Sequence, residues 1–266
     1  MEVDPEQASS VTEDAGGRDA PPSDAPSTPS SPPPPAHSAP VSRSPGDGAP
    51  GVGGAEVISP LQVSPQRVAA ATALRRLGHA LVAREVDDAI LGEIADRVGA
   101  LLGELDRAPA RRRPIGAMKL AQFEGAAASG ERLEHFPDCV VSGQANPLGI
   151  AIVCTRDGDE AVARVTLGAA FEGAPGRAHG GIVAAVFDDT MGYVLMMERT
   201  PAYTGRLSIT YRAPAPVGEE LEFRAKLRRR TGRKLDIVGQ ARHEETVVAE
   251  AEGLFIAVDP ARFAAW

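Results

Sequence analysis

The feature that most constrains the fold is an apolar segment, residues 182–197, which follows two glycines and carries the adjacent acids Asp188 and Asp189 in its middle. If the segment is a helix, apolar residues cover nearly its whole circumference, which predicts a helix buried on all sides. An unpartnered carboxylate in such a place is costly or shifts its pKa. Acids in the most apolar helix of a chain therefore indicate a functional site.

Runs of alternating hydrophobicity surround this segment. Six of them predict strands, two before the helix and four after it, at residues 150–154, 160–167, 204–213, 219–230, 234–243 and 247–258. Short, turn-like links join consecutive runs, so we expect an antiparallel sheet. A helix that is apolar all round can be buried only if that sheet curls about it. The sequence therefore predicts an α+β fold with six antiparallel strands wrapped around one long helix.

The N-terminal tail, residues 1–58, has the composition of a disordered segment. It is rich in Pro, Ser and Ala, and 12 of the chain's 23 prolines lie in the first fifty positions. The same fifty positions carry −6 of the chain's −8 net charge. The acidity therefore belongs to the tail and says little about what the folded part binds.

Four further segments follow the tail. Residues 59–108 have apolar positions at helical spacing and predict a helical hairpin with Asp87 capping its second helix, since the heptad pattern is too short to favour a coiled coil. We expect 109–145 to be a surface connector with little regular structure. The sheet and its helix occupy 146–258, and 259–266 form a C-terminal tail.

Cysteine usage and charge exclude several classes of protein. Cys139 and Cys154 are too few for a disulfide framework, which favours a reducing, cytoplasmic location. No apolar run reaches the roughly 20 residues of a membrane helix, so we expect no membrane insertion. The pI of about 5.2 argues against nucleic acid as a partner. No pair of histidines has metal-ligand spacing, so we predict neither a metal nor a cofactor.

Four motifs in order resemble the hotdog-fold acyl-CoA thioesterases of the phenylacetic-acid-degradation and human mitochondrial thioesterase branch. They are His179-Gly180-Gly181, an acid at Asp188, Thr204 opening a strand that continues LSITYRAP over 207–214, and Gly232-Arg233-Lys234. The resemblance covers residues 146–258, under half of the chain. It implies a hotdog fold, preceded here by the helical hairpin.

The resemblance also implies roles for three residues. The Gly180 backbone N–H would polarise the thioester carbonyl, and a helix start independently offers unpaired N–H groups for an oxyanion. Asp188 would act as general base or nucleophile, a choice that the sequence leaves open. Thr204 would hold the attacking water. Without the resemblance, Gly180 could simply form a tight turn, and Thr204 could be a β-branched residue that begins a strand.

The remaining candidates have weaker claims. His179 either contacts the substrate region or is only a hydrogen-bonded turn residue. We expect Arg233 and Lys234 to bind coenzyme A phosphates, with Gly181 as a further contact, whereas the basic residues of the preceding strand suit a solvated outer face. Asp189 is interpreted as a structural partner of a buried Arg or Tyr.

The expected function is hydrolysis of acyl-CoA to a free acid and coenzyme A, in a homodimer or homotetramer whose subunits share active sites. Two alternatives remain: a hotdog dehydratase or hydratase, and a non-catalytic acyl-CoA-binding sensor whose helices dock to a partner. The sequence leaves open the acyl-chain specificity, the choice between dimer and tetramer, and the roles of the tail and the helical segment.

Overall fold

A computed structural model describes residues 59–124 and 127–265 of the chain, so the predicted disordered tail lies outside the described residues. Five helices and nine strands follow one another in this part. The helices are α1 (Pro65–Ala83), α2 (Asp88–Leu105), α3 (Ile115–Ala121), α4 (Gly180–Met197) and α5 (Pro260–Ala265). The strands are β1 (Arg132–Leu133), β2 (Val153–Asp157), β3 (Glu160–Thr166), β4 (Glu172–Ala174), β5 (Arg177–Ala178), β6 (Ala202–Tyr211), β7 (Glu220–Thr231), β8 (Lys234–His243) and β9 (Thr246–Ala257).

The main sheet is antiparallel throughout and confirms the predicted architecture. Its strand order is β1-β2-β3-β7-β8-β9-β6, and the six predicted strands are all present within a few residues of their expected bounds. A seventh, two-residue strand, β1, extends one edge, and β4 with β5 forms a separate small hairpin just before α4. Strand β6, which contains Thr204, lies at the opposite edge of the sheet.

The central helix α4 packs along one side against five strands of this sheet, β3, β6, β7, β8 and β9. Phe187 and Met191 are fully buried, and the Phe187 ring meets Phe223 of β7 edge to face at 5.0 Å. A Cβ on Gly253 of β9 would lie 2.7 Å from the Met191 sulfur and 2.6 Å from a Phe255 ring carbon, so glycine at this position leaves room for both side chains. Burying each such large side chain contributes about 1.5–3 kcal/mol.

The prediction that α4 is buried on all sides is wrong for one face. Ile182, Ala185, Asp188 and Gly192 are only partly covered by their own chain. The helix is long and apolar enough to cross a membrane by those two measures, but half of it is buried inside the domain, as in a core helix. No element in the described part of the chain covers this open face of α4.

The two predicted helices are present as α1 and α2, but they make almost no contact with each other, so the prediction of a packed hairpin is wrong. Asp87 accepts a hydrogen bond from the Ile90 N–H and caps α2, as the sequence predicts. Helix α1 is anchored to the domain by polar contacts: Arg75 donates to the backbone carbonyls of Gln144 and Asn146, and His79 Nδ1 accepts from the Ala170 N–H. No residue of α2 is buried, so only α1 attaches this pair of helices to the domain.

The predictions for the connector and the C-terminal tail are wrong in part. The connector contains α3 and β1 and buries Met118 and Leu133. The tail contains α5, whose buried Phe263 contacts Phe123 edge to face at 5.6 Å. Apolar residues are too sparse in both segments to show a period, and α3 and α5 pack against each other only in the folded chain.

Candidate active site

The start of α4 is fixed by hydrogen bonds on both sides. His179 is the N-cap, and its Nδ1 accepts the Gly181 N–H at 2.9 Å. The Tyr211 hydroxyl of β6 donates to the Gly180 carbonyl at 2.7 Å. Within the described part of the chain, the Gly180 N–H meets no acceptor. One unpaired backbone donor therefore remains at the positive end of the helix, where a developing negative charge would be stabilised.

These contacts separate the roles predicted for the His-Gly-Gly residues. His179 is a hydrogen-bonded turn residue, which was one of its two interpretations. The N–H of Gly181 is engaged by that histidine, and the contact of Gly181 with coenzyme A stays a prediction. A Cβ at Gly180 would lie 3.2 Å from the Tyr211 hydroxyl, which shows how tightly β6 covers the turn.

Asp188 and Thr204 meet on the open face of α4. The Thr204 hydroxyl donates to Asp188 Oδ1 at 2.8 Å, from the edge strand to the middle of the helix. The pair is solvent-accessible in the single chain. A hydroxyl and a carboxylate in hydrogen-bond contact, with the second carboxylate oxygen still available, can hold and deprotonate a water molecule.

A β-bulge in β6 makes both helix contacts possible. Thr204 pairs with Phe255 and Arg206 with Leu254, so Gly205 is an extra residue in the ladder. Before the bulge Thr204 contacts α4, and after it Tyr211 contacts α4. A Cβ on Gly205 would come within 3.3 Å of the Leu254 carbonyl oxygen, so the bulge suits glycine.

Asp189 lies on a different face of α4, beneath the connector. Its side chain is only 8% exposed, and its Oδ1 accepts the Cys139 thiol at 3.3 Å and lies 3.6 Å from His135 Nδ1. His135 in turn contacts the Ser142 hydroxyl at 3.0 Å. The predicted Arg or Tyr partner for Asp189 is therefore wrong, because the partners come from a connector whose path the sequence did not reveal.

Burial dominates the electrostatics of this second site. Desolvation raises the pKa of the Cys139 thiol, and the nearby Asp189 charge raises it further. Burial lowers the pKa of His135, against the opposing attraction of Asp189. The Tyr193 hydroxyl also has its pKa raised, by burial first and by Asp189 second. At neutral pH the imidazole and the thiol are therefore both uncharged.

The predicted coenzyme A residues lie at the turn between β7 and β8. The ladder aligns Thr204 with Phe255 of β9 and Phe255 with Leu235 of β8, so Lys234 lies about two strand spacings, roughly 10 Å, from Thr204. Arg233 is held beside the same turn by donating its Nε–H to the Ala257 carbonyl. The turn is therefore near Thr204 in the sheet, but Lys234 projects from the face opposite to Leu235 and Thr204, and the role of both cations stays a prediction.

The other basic residues of β7 are largely ion-paired. Arg224 bonds to Glu222, Asp157 and Glu160, and carboxylate neighbours also pair Lys226, Arg228 and Arg229. The network raises the pKa of Arg224 and lowers those of Glu160 and Glu222, the Arg224 bond being the largest cause for Glu222. Because carboxylates pair these basic side chains, β7 fits the solvated outer face that the sequence predicts.

An antiparallel sheet curled around one central helix, with a glycine at the helix start and an acid at its middle, defines a hotdog-fold domain. The sequence model of the thioesterase superfamily matches residues 175–250. This region of the chain is therefore similar to that superfamily.

Known proteins similar to the chain fall into two groups. Acyl-coenzyme A thioesterase THEM4 from Mus musculus is 37% identical over 91 residues, 34% of this chain and 39% of that protein. The Bos taurus THEM4 is 32% identical over 117 residues, 42% of this chain and 48% of that protein. The chain thus spans less than half the length of these curated relatives. A crystal structure of a thioesterase superfamily protein is 28% identical with a TM-score of 0.61, covering 71% of this chain and 90% of that one.

The structural likeness reaches beyond the hotdog domain. Its 71% coverage exceeds the share of the chain that residues 146–266 represent, so the likeness must include residues before 146. The sequence offered no counterpart for the segments that precede the domain. These segments are therefore at least partly shared with a member of the superfamily.

Proposed function

We propose that this chain hydrolyses acyl-CoA thioesters to a free acid and coenzyme A, using Asp188 as its reactive carboxylate. The observation that carries the proposal is the hydrogen bond from Thr204 to Asp188 on the open face of α4. The names of the mouse and cattle relatives, both acyl-coenzyme A thioesterases, support the substrate class. Because their matched regions are partial, the activity stays a proposal for this chain.

The residues can divide the chemistry as follows. A water held by Thr204 and Asp188 loses a proton to Asp188 while its oxygen attacks the thioester carbonyl carbon. The carbonyl oxygen gains negative charge and is stabilised by a Gly180 N–H, an interaction typically worth about 2.7–4 kcal/mol. The C–S bond then breaks, and the proton on Asp188 passes to the departing coenzyme A thiolate. Alternatively, Asp188 attacks directly and water cleaves the resulting anhydride.

A single chain cannot supply both groups to one substrate. Gly180 and Asp188 are eight residues apart on α4, which places them about 12 Å apart along the helix axis. An oxyanion donor and a base must each lie about 3 Å from the reacting group or one water away. We infer that a second copy supplies the Gly180 N–H that faces Asp188 of the first copy.

Two surfaces of the chain support this second copy. Strand β6 is an uncovered edge on which only Ala202 of its ten residues is buried, and such edges are normally paired or shielded. The face of α4 around Ala185, Asp188 and Gly192 consists of small residues and is open, so another helix can approach closely. A homodimer, or a homotetramer built from it, would cover both surfaces.

Two further expectations accompany the proposal. Arg233 and Lys234 would bind coenzyme A phosphates, because they lie within about two strand spacings of Thr204. A reducing, cytoplasmic location fits the free thiols Cys139 and Cys154.

The dehydratase alternative requires a histidine that works beside the acid. The nearest candidate, His179, caps the start of α4 and uses Nδ1 to accept the Gly181 N–H, nine residues before Asp188. Among the described histidines, none contacts Asp188. This observation favours hydrolysis over hydration chemistry.

Thiol release from a panel of acyl-CoAs tests the proposal. We expect release by the unmodified chain, loss of it in Asp188→Asn, and full retention in Glu198→Gln, a matched change of an exposed acid at the end of the same helix. Binding without release would favour the sensor alternative, and loss or gain of water without thiol would favour the dehydratase. Either result would contradict the proposal.

Single-turnover hydrolysis in oxygen-18 water then separates the two routes. If Asp188 is the base, the label enters the acid product in the first turnover. If Asp188 is the nucleophile and water attacks the Asp188 carbonyl carbon of the anhydride, an oxygen of Asp188 enters the product first and the label appears in the enzyme.

A further inference from the structure

Three potential metal ligands converge beneath the connector, away from the Asp188 site. We call His135, Cys139 and Asp189 the three-ligand cluster. Their ligand atoms all lie within 4.8 Å of one another. Asp189 Oδ1 is 3.3 Å from Cys139 Sγ and 3.6 Å from His135 Nδ1. The proposed hydrolysis does not use any of these three side chains.

The cluster leaves one polar atom unsatisfied. Asp189 Oδ2 is buried and has no hydrogen-bond partner among the described residues, while the whole side chain is 8% exposed. A buried carboxylate oxygen without a partner costs free energy, so each such atom needs an explanation. A cation at this position would supply the missing interaction.

The ligand spacing fits a tetrahedral ion. Bonds of about 2.3 Å to sulfur and about 2.0–2.2 Å to nitrogen and oxygen give tetrahedral edges of roughly 3.5–3.7 Å between sulfur and oxygen and roughly 3.3–3.5 Å between nitrogen and oxygen. The measured separations, 3.3 Å from sulfur to oxygen and 3.6 Å from nitrogen to oxygen, are each within about 0.2 Å of these edges before any ion is bound. The His135–Cys139 separation is at most 4.8 Å and would shorten on binding.

Charge and ligand chemistry narrow the choice of ion. A Cys139 thiolate and an Asp189 carboxylate carry two negative charges, which balance a divalent ion and leave the buried site neutral with an uncharged His135. Sulfur and imidazole ligands select zinc-like transition ions over magnesium or calcium, which prefer oxygen. We propose that the three-ligand cluster binds a zinc-class divalent ion.

The site has a route to solvent and a place for a fourth ligand. A cavity of about 320 Å³ reaches His135, Ser142 and Tyr193 from the side of the N-terminal segment, where Leu61 and Val63 line it. His135 is 17% exposed at this cavity. A water in the cavity, or the Ser142 hydroxyl 3.0 Å from His135 Nδ1, can complete the coordination.

The proposed ion would join two parts of the fold. His135 and Cys139 belong to the connector, and Asp189 belongs to the central helix, on a face other than that of Asp188. Because metal ligation adds its binding free energy to folding, the ion would fasten the connector onto α4. This role is structural and independent of the proposed thioesterase activity.

Metal binding to the full chain, prepared without an affinity tag and stripped with chelator, tests the proposal. We expect about one zinc per chain by equilibrium dialysis with elemental analysis, and a higher thermal midpoint that chelator reverses. Cobalt(II) should give a thiolate-to-metal charge-transfer band, whereas magnesium should have no effect. Absence of zinc uptake by the unmodified chain would leave only a hydrogen-bonded cluster and overturn the proposal.

Matched cysteine variants assign the thiolate. Cys139→Ser should remove the cobalt band and weaken zinc binding by more than about 100-fold, since loss of a mere supporting contact already costs about 10–100-fold. Cys154→Ala changes the other free thiol of the described chain, which is buried, and should retain the band. His135→Gln is a second ligand variant, and it should weaken zinc binding to the same extent. A band that survives Cys139→Ser, or that disappears in Cys154→Ala, would contradict the assignment.

Discussion

Two faces of the central helix carry adjacent aspartates in opposite surroundings. Asp188 faces an open surface and has one side-chain partner, the Thr204 hydroxyl of an edge strand. Asp189 lies beneath the connector, 8% exposed, among a thiol and an imidazole. Neighbouring positions on a helix point about 100° apart, so two consecutive residues of one type can reach entirely different environments.

The difference shows that the residues packed over each aspartate, and not its position on α4, determine which role the carboxylate can have. Both residues interrupt the same apolar segment and look equivalent in sequence. The connector closes over Asp189 and supplies ligands, whereas the face around Asp188 stays open to water and to a second copy. Variants that affect catalysis and stability separately can therefore test the comparison.

The largest effect should come from Asp188→Asn. Loss of a positioned base lowers kcat by about 10²–10⁴-fold. The free energy of unfolding should hardly change, because Asp188 is partly exposed and its amide replacement can still accept from Thr204. Steady-state thiol release and urea denaturation measure the two quantities. A large loss of stability with unchanged kcat would reverse the roles assigned to the two faces.

Thr204→Val should have the next largest effect, a fall in kcat of about 10–100-fold. The change removes a hydrogen bond to a charged group, worth about 1.5–3 kcal/mol, while keeping a β-branched side chain for the strand. Thr210→Val, an exposed threonine on the same strand, is the matched control. Equal activities for the two variants would show that the contact with Asp188 is only structural.

Asp189→Asn should change the free energy of unfolding, and the sign of this change should depend on whether zinc is present. In chelator we expect the free energy of unfolding to rise by about 1 kcal/mol, because a neutral amide costs less to bury than a carboxylate with an unpartnered oxygen. In excess zinc the unmodified chain should instead be the more stable one. Urea denaturation under both conditions measures the difference, and a variant that responds to zinc like the unmodified chain would refute the assignment of Asp189 as a ligand.

Tyr211→Phe should have the smallest effect. It removes the hydrogen bond to the Gly180 carbonyl, which contributes about 0.5–1.5 kcal/mol. We expect a thermal midpoint lowered by a few degrees. Tyr203→Phe, on the same strand, provides a comparison in differential scanning calorimetry. If Tyr211→Phe instead abolished hydrolysis, its hydroxyl would have a direct part in the reaction.

The period of the hydrophobic pattern was sufficient to predict the folded domain. Strands with clean alternation, such as Lys234–His243, were predicted at their observed bounds because half-buried strands alternate. The short elements α3, β1 and α5 were missed because their few apolar residues are buried only by contacts with each other and with distant parts of the chain.

The site was predictable only in part. The resemblance placed Asp188, Thr204 and Gly180 in one region, and the structure brings the first two into contact. The three-ligand cluster went unnoticed because Asp189 is fifty residues from Cys139 in sequence. The four-residue spacing of His135 and Cys139 was a visible signal, but it lay in a segment expected to have little structure.

The extra residue in β6 determines on which side of the sheet Thr204 and Tyr211 lie. Thr204 and Tyr211 are seven positions apart, an odd number, so in an unbroken strand they would project from opposite sides of the sheet. Gly205 shifts the parity by one and lets both reach the helix. Deleting Gly205 would leave a spacing of six in a regular strand and keep both side chains on one side, whereas a spacing of seven without the bulge would turn one of them away. Homologous chains that keep both contacts should therefore combine an odd spacing with a bulge, or an even spacing with an unbroken strand.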